Sequence, residues 1–99
     1  MKPCVFAPLA EADLAEIWRF SVDQWGEQQA DDYIRALVAA AESIAAHSER
    51  GSSCDHIRPG YRKLAAGTHV LFYRVAAERI EIIRVLHQRM DWGKRLSAE

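Results

Sequence analysis

Apolar and polar positions change their spacing twice along the chain. Cys4 and Phe6 lie on one side of a pleat and Val5 on the other, which predicts a short strand over residues 2–7. Pro8 ends the pairing and suits the first turn of a helix, because its φ is fixed and it has no N–H to offer. From there Ala10, Leu14, Ile17, Trp18, Ser21 and Trp25 follow the three-and-four spacing of one helical face. Glu11, Asp13 and Glu16 sit early, where the helix dipole favours negative charge. Gly26 is a natural stop. A second, wider stripe runs through Ala30, Tyr33, Ile34, Leu37, Val38, Ala41, Ile44 and Ala45. Its alanines are strong helix formers and let a neighbour come close. The two stripes predict an antiparallel helix hairpin that needs a sheet to cover, with Trp18 and Trp25 both packed inside.

Residues 48–56 are rich in turn formers and predict a loop. Beyond it the period becomes two. Tyr61, Lys63 and Ala65 alternate with Arg62 and Leu64. Gly67-Thr68 marks a turn, residues 69–75 form a strand, residues 76–79 turn again, and residues 80–86 form the strongest strand. Strand, helix hairpin and three-stranded antiparallel meander make an α+β order, with the first strand beside a later one and the helices on one face. The tail, residues 88–99, is polar, with Met90, Trp92 and Leu96 as anchors. Two helices cover only one face. The alternating positions Leu71, Tyr73, Val75, Ile83 and Val85 are therefore expected to leave apolar strand surface open as an interface.

A chain of 99 residues argues for one domain, and 49% hydrophobic with 27% charged residues is ordinary for a folded protein. The net charge of -1 gives no whole-molecule attraction to nucleic acid, and no direct sequence-specific nucleic-acid binding is expected, but acids crowd the first half and arginines the second, so a basic face suited to an acidic partner remains open. No apolar run is long enough for a bilayer, and the N-terminus lacks the pattern of a signal peptide, so a cytoplasmic location is expected. Cys4 and Cys54 are then thiols. Cys54-Asp55-His56 has no second pair at zinc spacing, so no metal is expected. No glycine-rich phosphate loop or nucleophile elbow is present, and no cofactor is expected.

The runs His69-Val70-Leu71-Phe72-Tyr73-Arg74-Val75 and Ile80-Glu81-Ile82-Ile83-Arg84-Val85-Leu86-His87-Gln88-Arg89-Met90-Asp91 resemble the C-terminal half of ParE toxins, in the ParE/RelE superfamily of plasmid-stabilisation proteins. Ala12-Asp13-Leu14 with Ile17-Trp18, then Trp25-Gly26, Ala30 and Tyr33, agree in the first half. Gly60-Tyr61-Arg62 matches the opening of the second family strand. Ser48 departs from the proline that many members place at the end of the second helix. The resemblance implies the fold derived above and a ParD-like antitoxin bound in a hetero-oligomer. It further implies DNA gyrase as a target, held in the state with cut DNA rather than chemically altered.

RelE-like relatives cut messenger RNA on the ribosome, using cations for phosphate and a proton-transfer group. Arg62, Lys63, Arg84 and His87 are the residues that would imitate such a site. Against this reading, Val70 and Tyr61 stand where RelE carries a catalytic arginine and a lysine. The alternative for His87 is an aromatic cap on the sheet edge, hydrogen-bonded to backbone. Arg74 and Arg84 interrupt apolar strands, so each implies either an internal carboxylate, such as Asp13 or Glu16, or one supplied by the antitoxin. The expected antitoxin- or target-binding face is Tyr61, Arg62, Tyr73, Arg74, Arg84, His87, Arg89 and Trp92.

Overall fold

The computed structural model describes residues 2–97, without the side chain of Ser97. β1 (Cys4–Phe6) runs into α1 (Pro8–Trp25), with Pro8 opening the helix as its missing N–H allows. Gly26 alone separates α1 from α2 (Glu27–Ala46). At φ 90° it adopts backbone that a side chain would strain. Its N–H donates to the Val22 carbonyl, and its own carbonyl accepts from Ala30, so one residue ends one helix and begins the next.

The rest of the chain is a 3-10 turn (Ser48–Arg50), β2 (Ser52–Ser53), β3 (Arg62–Ala66), β4 (His69–Val75), β5 (Ile80–His87) and α3 (Trp92–Ser97). The strands form one sheet in the order β1-β5-β4-β3-β2. β2 to β5 pair antiparallel, whereas β1 lies parallel to β5 with Cys4 opposite Ile80. The meander of three strands is thus extended at both edges. β2 falls inside the segment expected to be a loop, since two serines carry no strand propensity.

The helices cover one face. Ala10, Ile17, Leu37, Ala41 and Ile44 pack on Leu71, Tyr73, Ile80, Ile82 and Val85. Burying a leucine or isoleucine here contributes roughly 1.5–3 kcal/mol, so the stripes hold the sheet. Trp25 corrects the sequence reading. It is 58% exposed, because α1 buries nothing beyond Ser21 and its last turn stands clear of the core. Trp18 is half-buried and donates its indole N–H to Asp31 at 2.8 Å.

The second face also departs from expectation. It is covered rather than open. Val70, Phe72, Ile83 and Leu86 pack with Cys54, Tyr61 and Leu96, and Ile57 and Trp92 flank them. The polar tail supplies this cover: α3 brings Trp92 and Leu96, four residues apart, onto the sheet. Of the five residues expected to line an open apolar face, Leu71, Tyr73 and Val85 lie under the helices and Ile83 under the second cover. Val75 alone is exposed.

Period-two reading fails in β5 because of a bulge. Phe72 faces Arg84 and Tyr73 faces Ile82, so Ile83 has no opposite residue. An extra residue re-aims the side chains beyond it, and Val85 returns to the helix side while Leu86 turns away.

Candidate binding site

Arg84 comes directly after the bulged residue, and its guanidinium meets Asp13 of α1. Nε donates to one carboxylate oxygen at 2.8 Å and a terminal NH2 to the other at 2.9 Å. The same carboxylate accepts the Val85 N–H at 2.9 Å. β1 pairs with β5 only as far as Ile82, where Ala7 N–H makes the last bond before Pro8 turns the chain away. Asp13 therefore takes the place of a strand neighbour for Val85. With side chains only 11% and 14% exposed, this pair is a structural clamp between α1 and β5. Of the two carboxylate sources open to Arg84, the fold supplies the internal one. Arg74 likewise reaches an internal acid, Glu81, which also bonds Arg79. These two arginines hold the Glu81 carboxyl below its usual range.

Tyr73 is fully buried. Its hydroxyl donates to the Ser48 carbonyl at 2.7 Å and accepts from Gly51 N–H at 3.1 Å and Arg62 Nε at 3.4 Å. Arg62 also donates to the Gly51 carbonyl. Gly51 is required at this knot, because a Cβ would collide with the Lys63 carbonyl and the Tyr73 hydroxyl. Tyr61 is buried beneath Arg58, whose guanidinium lies 5.5 Å from its ring centre. Tyr61 and Tyr73 are thus packing residues, not donors lining an exposed surface, and Arg62 is engaged inside the fold.

His87 ends β5. Its Nδ1 accepts the Arg89 N–H at 3.1 Å, and its carbonyl accepts the Trp92 indole N–H at 3.1 Å. This is the backbone-bonded cap weighed in the sequence. What the sequence could not reveal is its neighbour. The His69 ring lies edge-on, 5.3 Å away, and His69 Nδ1 is 2.7 Å from the Tyr33 hydroxyl. Tyr33 also takes the Thr68 N–H. Burial, then the adjacent His87, pushes the His69 pKa down, with Asp13 opposing. A residue separation of 36 hides this cluster from any local pattern.

α3 gathers the remaining cations. Arg58 donates to the Leu96 carbonyl at 3.0 Å, and Lys63 Nζ lies 4.9 Å from the Trp92 ring centre. On its other flank, Arg84, Met90, Asp91, Lys94 and Arg95 line a half-open cleft of about 570 Å³. Arg89, Lys94 and Arg95 are exposed, and Trp92 is half-buried against Phe72. Of the residues expected to form one face, Arg89 donates its backbone N–H to His87 and Trp92 donates its indole N–H to the His87 carbonyl, while Arg74 lies apart with Glu81. Cys4 and Cys54 are unbridged, and burial raises both thiol pKa values, Cys4 being pushed further by Glu42. Among the described residues, no three His, Cys, Asp or Glu side chains come together as a metal site, and no helix is long and apolar enough to cross a membrane.

The comparisons with known proteins agree among themselves. Residues 4–92 match the family model described as ParE toxin of type II toxin-antitoxin system, parDE. Toxin ParE1 of Mycobacterium tuberculosis (strain CDC 1551 / Oshkosh) is 52% identical over 93 residues, covering 93% of this chain and 95% of that one. Toxin ParE1 of Caulobacter vibrioides is 50% identical over 91 residues, covering 92% and 94%. A solved structure titled as the chromosomal ParDE TA system from P. aeruginosa superposes with a TM-score of 0.78 at 22% identity, covering 88% of this chain and 96% of that one, which shows a shared fold. The chain therefore belongs to the ParE toxin family of type II toxin–antitoxin systems.

Proposed function

We infer that this toxin acts by binding and not by catalysis, arresting DNA gyrase with its DNA cut, and that a ParD-like antitoxin neutralises it in a hetero-oligomer. The observation that carries the reading is where the four ribonuclease candidates are spent. Arg84 is clamped by Asp13, Arg62 by the Gly51 carbonyl and Tyr73, and His87 Nδ1 by a backbone N–H. Lys63 reaches Trp92 on the other side of the sheet from Tyr73. A phosphoryl transition state needs cations converging on one point, and these diverge. The ParDE title of the structural neighbour supports pairing with an antitoxin of the ParD kind. Its acidic segment docks where the expected face stays accessible, across Arg89 and Trp92 with Lys94 and Arg95 beside them. A cytoplasmic site of action goes with both partners.

The ribonuclease reading keeps one observation, the His87–His69–Tyr33 cluster. His87→Ala separates the two. Purified wild-type protein and the variant should both block gyrase supercoiling and accumulate cleaved DNA, and both should arrest growth. Arrest lost in the variant, with supercoiling untouched by the wild type at saturation, would return the protein to the enzyme class.

A further inference from the structure

Charge is divided between the two halves of the chain. Residues 2–54 carry four Lys and Arg against nine Asp and Glu, whereas residues 55–97 carry nine against four. The fold turns this division into two sides. The acidic half is the helix hairpin, and the basic half ends in α3. Arg58 and Lys63 flank α3 on one side, Arg84, Lys94 and Arg95 line the cleft on the other, and Arg89 leads into it. Among the described residues Asp91 is the acid lining the cleft, and one of its oxygens takes the Lys94 N–H at 3.2 Å.

A set of this kind suits a particular ligand. A single carboxylate is best held by one bidentate arginine, as Asp13 is by Arg84. Arg89, Lys94 and Arg95, the exposed cations of this set, lie within seven residues of one another at and before a short helix, and several cations close together match instead a repeating array of negative charge. Trp92 is turned edge-on to Phe72 and has Lys63 over its ring. It therefore offers no open platform for stacked bases, which argues against single-strand recognition. What remains is contact with backbone phosphate, which is sequence-independent and salt-sensitive.

We propose that the α3 face of this toxin contacts the phosphate backbone of duplex DNA directly. The inference rests on the gyrase reading above, in which the captured complex holds cut DNA: the toxin then grips the nucleic acid as well as the protein. The acidic antitoxin segment and the phosphates compete for one set of cations, so neutralisation results from occupancy.

The test needs no gyrase, so its failure and the failure of the target reading are distinguishable. A fluorescein-labelled 20-base-pair duplex is titrated with purified toxin and followed by anisotropy. Binding with a Kd on the order of 10⁻⁴–10⁻⁶ M is expected. If three phosphates are neutralised, affinity should fall on the order of 40-fold between 50 and 200 mM salt. The variant Arg89→Glu/Lys94→Glu/Arg95→Glu, with melting checked, should bind at least tenfold more weakly, and Arg50→Glu should bind as the wild type does. No binding at 50 mM salt would overturn the proposal, as would binding that the triple reversal leaves unchanged. Tighter binding to a single-stranded RNA of equal length would overturn the assignment to duplex DNA. If the triple variant loses the antitoxin while the wild type ignores the duplex, the face serves an acidic protein alone, and the proposal fails.

Discussion

On one side of the sheet, helices of 18 and 20 residues lay continuous apolar stripes over Leu71, Tyr73, Ile80, Ile82 and Val85. On the other, a helix of six residues and the segment 54–61 close over Val70, Phe72, Ile83 and Leu86. The first cover is extensive and acidic outside. The second is small and basic outside. The difference separates two jobs within a small protein. The hairpin side secures the fold through area and the Asp13–Arg84 clamp, while the α3 side needs only enough apolar contact to hold a platform of cations in place. Under the proposed function, a partner is recruited by charge and not by bare apolar strand surface.

The sharpest way to break the hairpin side is Asp13→Ala. It strands the Arg84 guanidinium and the Val85 N–H together in a nearly dry position, and about 3–5 kcal/mol of unfolding free energy should be lost in urea titrations. Replacing Arg84 by methionine as well should recover part of the loss, because the orphaned charge is gone. A double variant no better than the single one would mean that the ion pair matters less than the Val85 hydrogen bond.

Leucine truncations probe the asymmetry itself. Leu37 is 1% and Leu96 0% exposed, so burial alone would make them equal. Leu37→Ala should cost about 3–4 kcal/mol globally. Leu96→Ala should cost only about 1–2 kcal/mol, because α3 can open by itself before the rest unfolds. Hydrogen exchange in residues 92–97 should then rise in Leu96→Ala with little change in β4. Equal losses with uniform exchange would show α3 to be as integral as the hairpin.

A smaller effect concerns pH. His69 is held below its ordinary pKa by burial and by His87. The unfolded chain therefore takes up this proton first as pH falls. The neutral ring's contribution is complete above the unfolded value of about 6.5 and is lost as pH drops from there through the folded value. His69→Gln should flatten the decline in stability below about pH 6.5, and an unchanged slope would assign the decline to other groups.

Much of this fold is legible in the sequence, and the failures have physical causes. Long stripes locate α1 and α2, and the period-two runs locate β3, β4 and β5, because each element buries a full face. α3 escapes, since Trp92 and Leu96 are one i,i+4 pair in a polar tail and define no period. β2 escapes because Ser52 and Ser53 are held by pairing with β3, not by propensity. The bulge at Ile83 shifts which β5 residues face the helices, and the expected open apolar face disappears because α3 and residues 54–61 cover the other side of the sheet. Trp25 fits the helical period, yet the α1 core ends at Ser21. At the candidate site, the sequence names Asp13 as one partner open to Arg84 but cannot choose it over an external carboxylate. It misses His69 and Tyr33 beside His87, because only the fold brings them there. The burial of Tyr61 and Tyr73 depends on covers that the sequence does not reveal.

That the basic side carries function is tested most directly by a gyrase cleavage assay with surface variants. Wild-type toxin, Arg50→Glu and Arg89→Glu/Lys94→Glu/Arg95→Glu would be compared at equal concentration, with melting temperatures measured alongside. Cleaved DNA should accumulate with the wild type and with Arg50→Glu. At least tenfold more of the triple variant should be needed for the same cleavage, with melting changed by no more than a few degrees. Equal potency of all three proteins would contradict a functional role for the basic side.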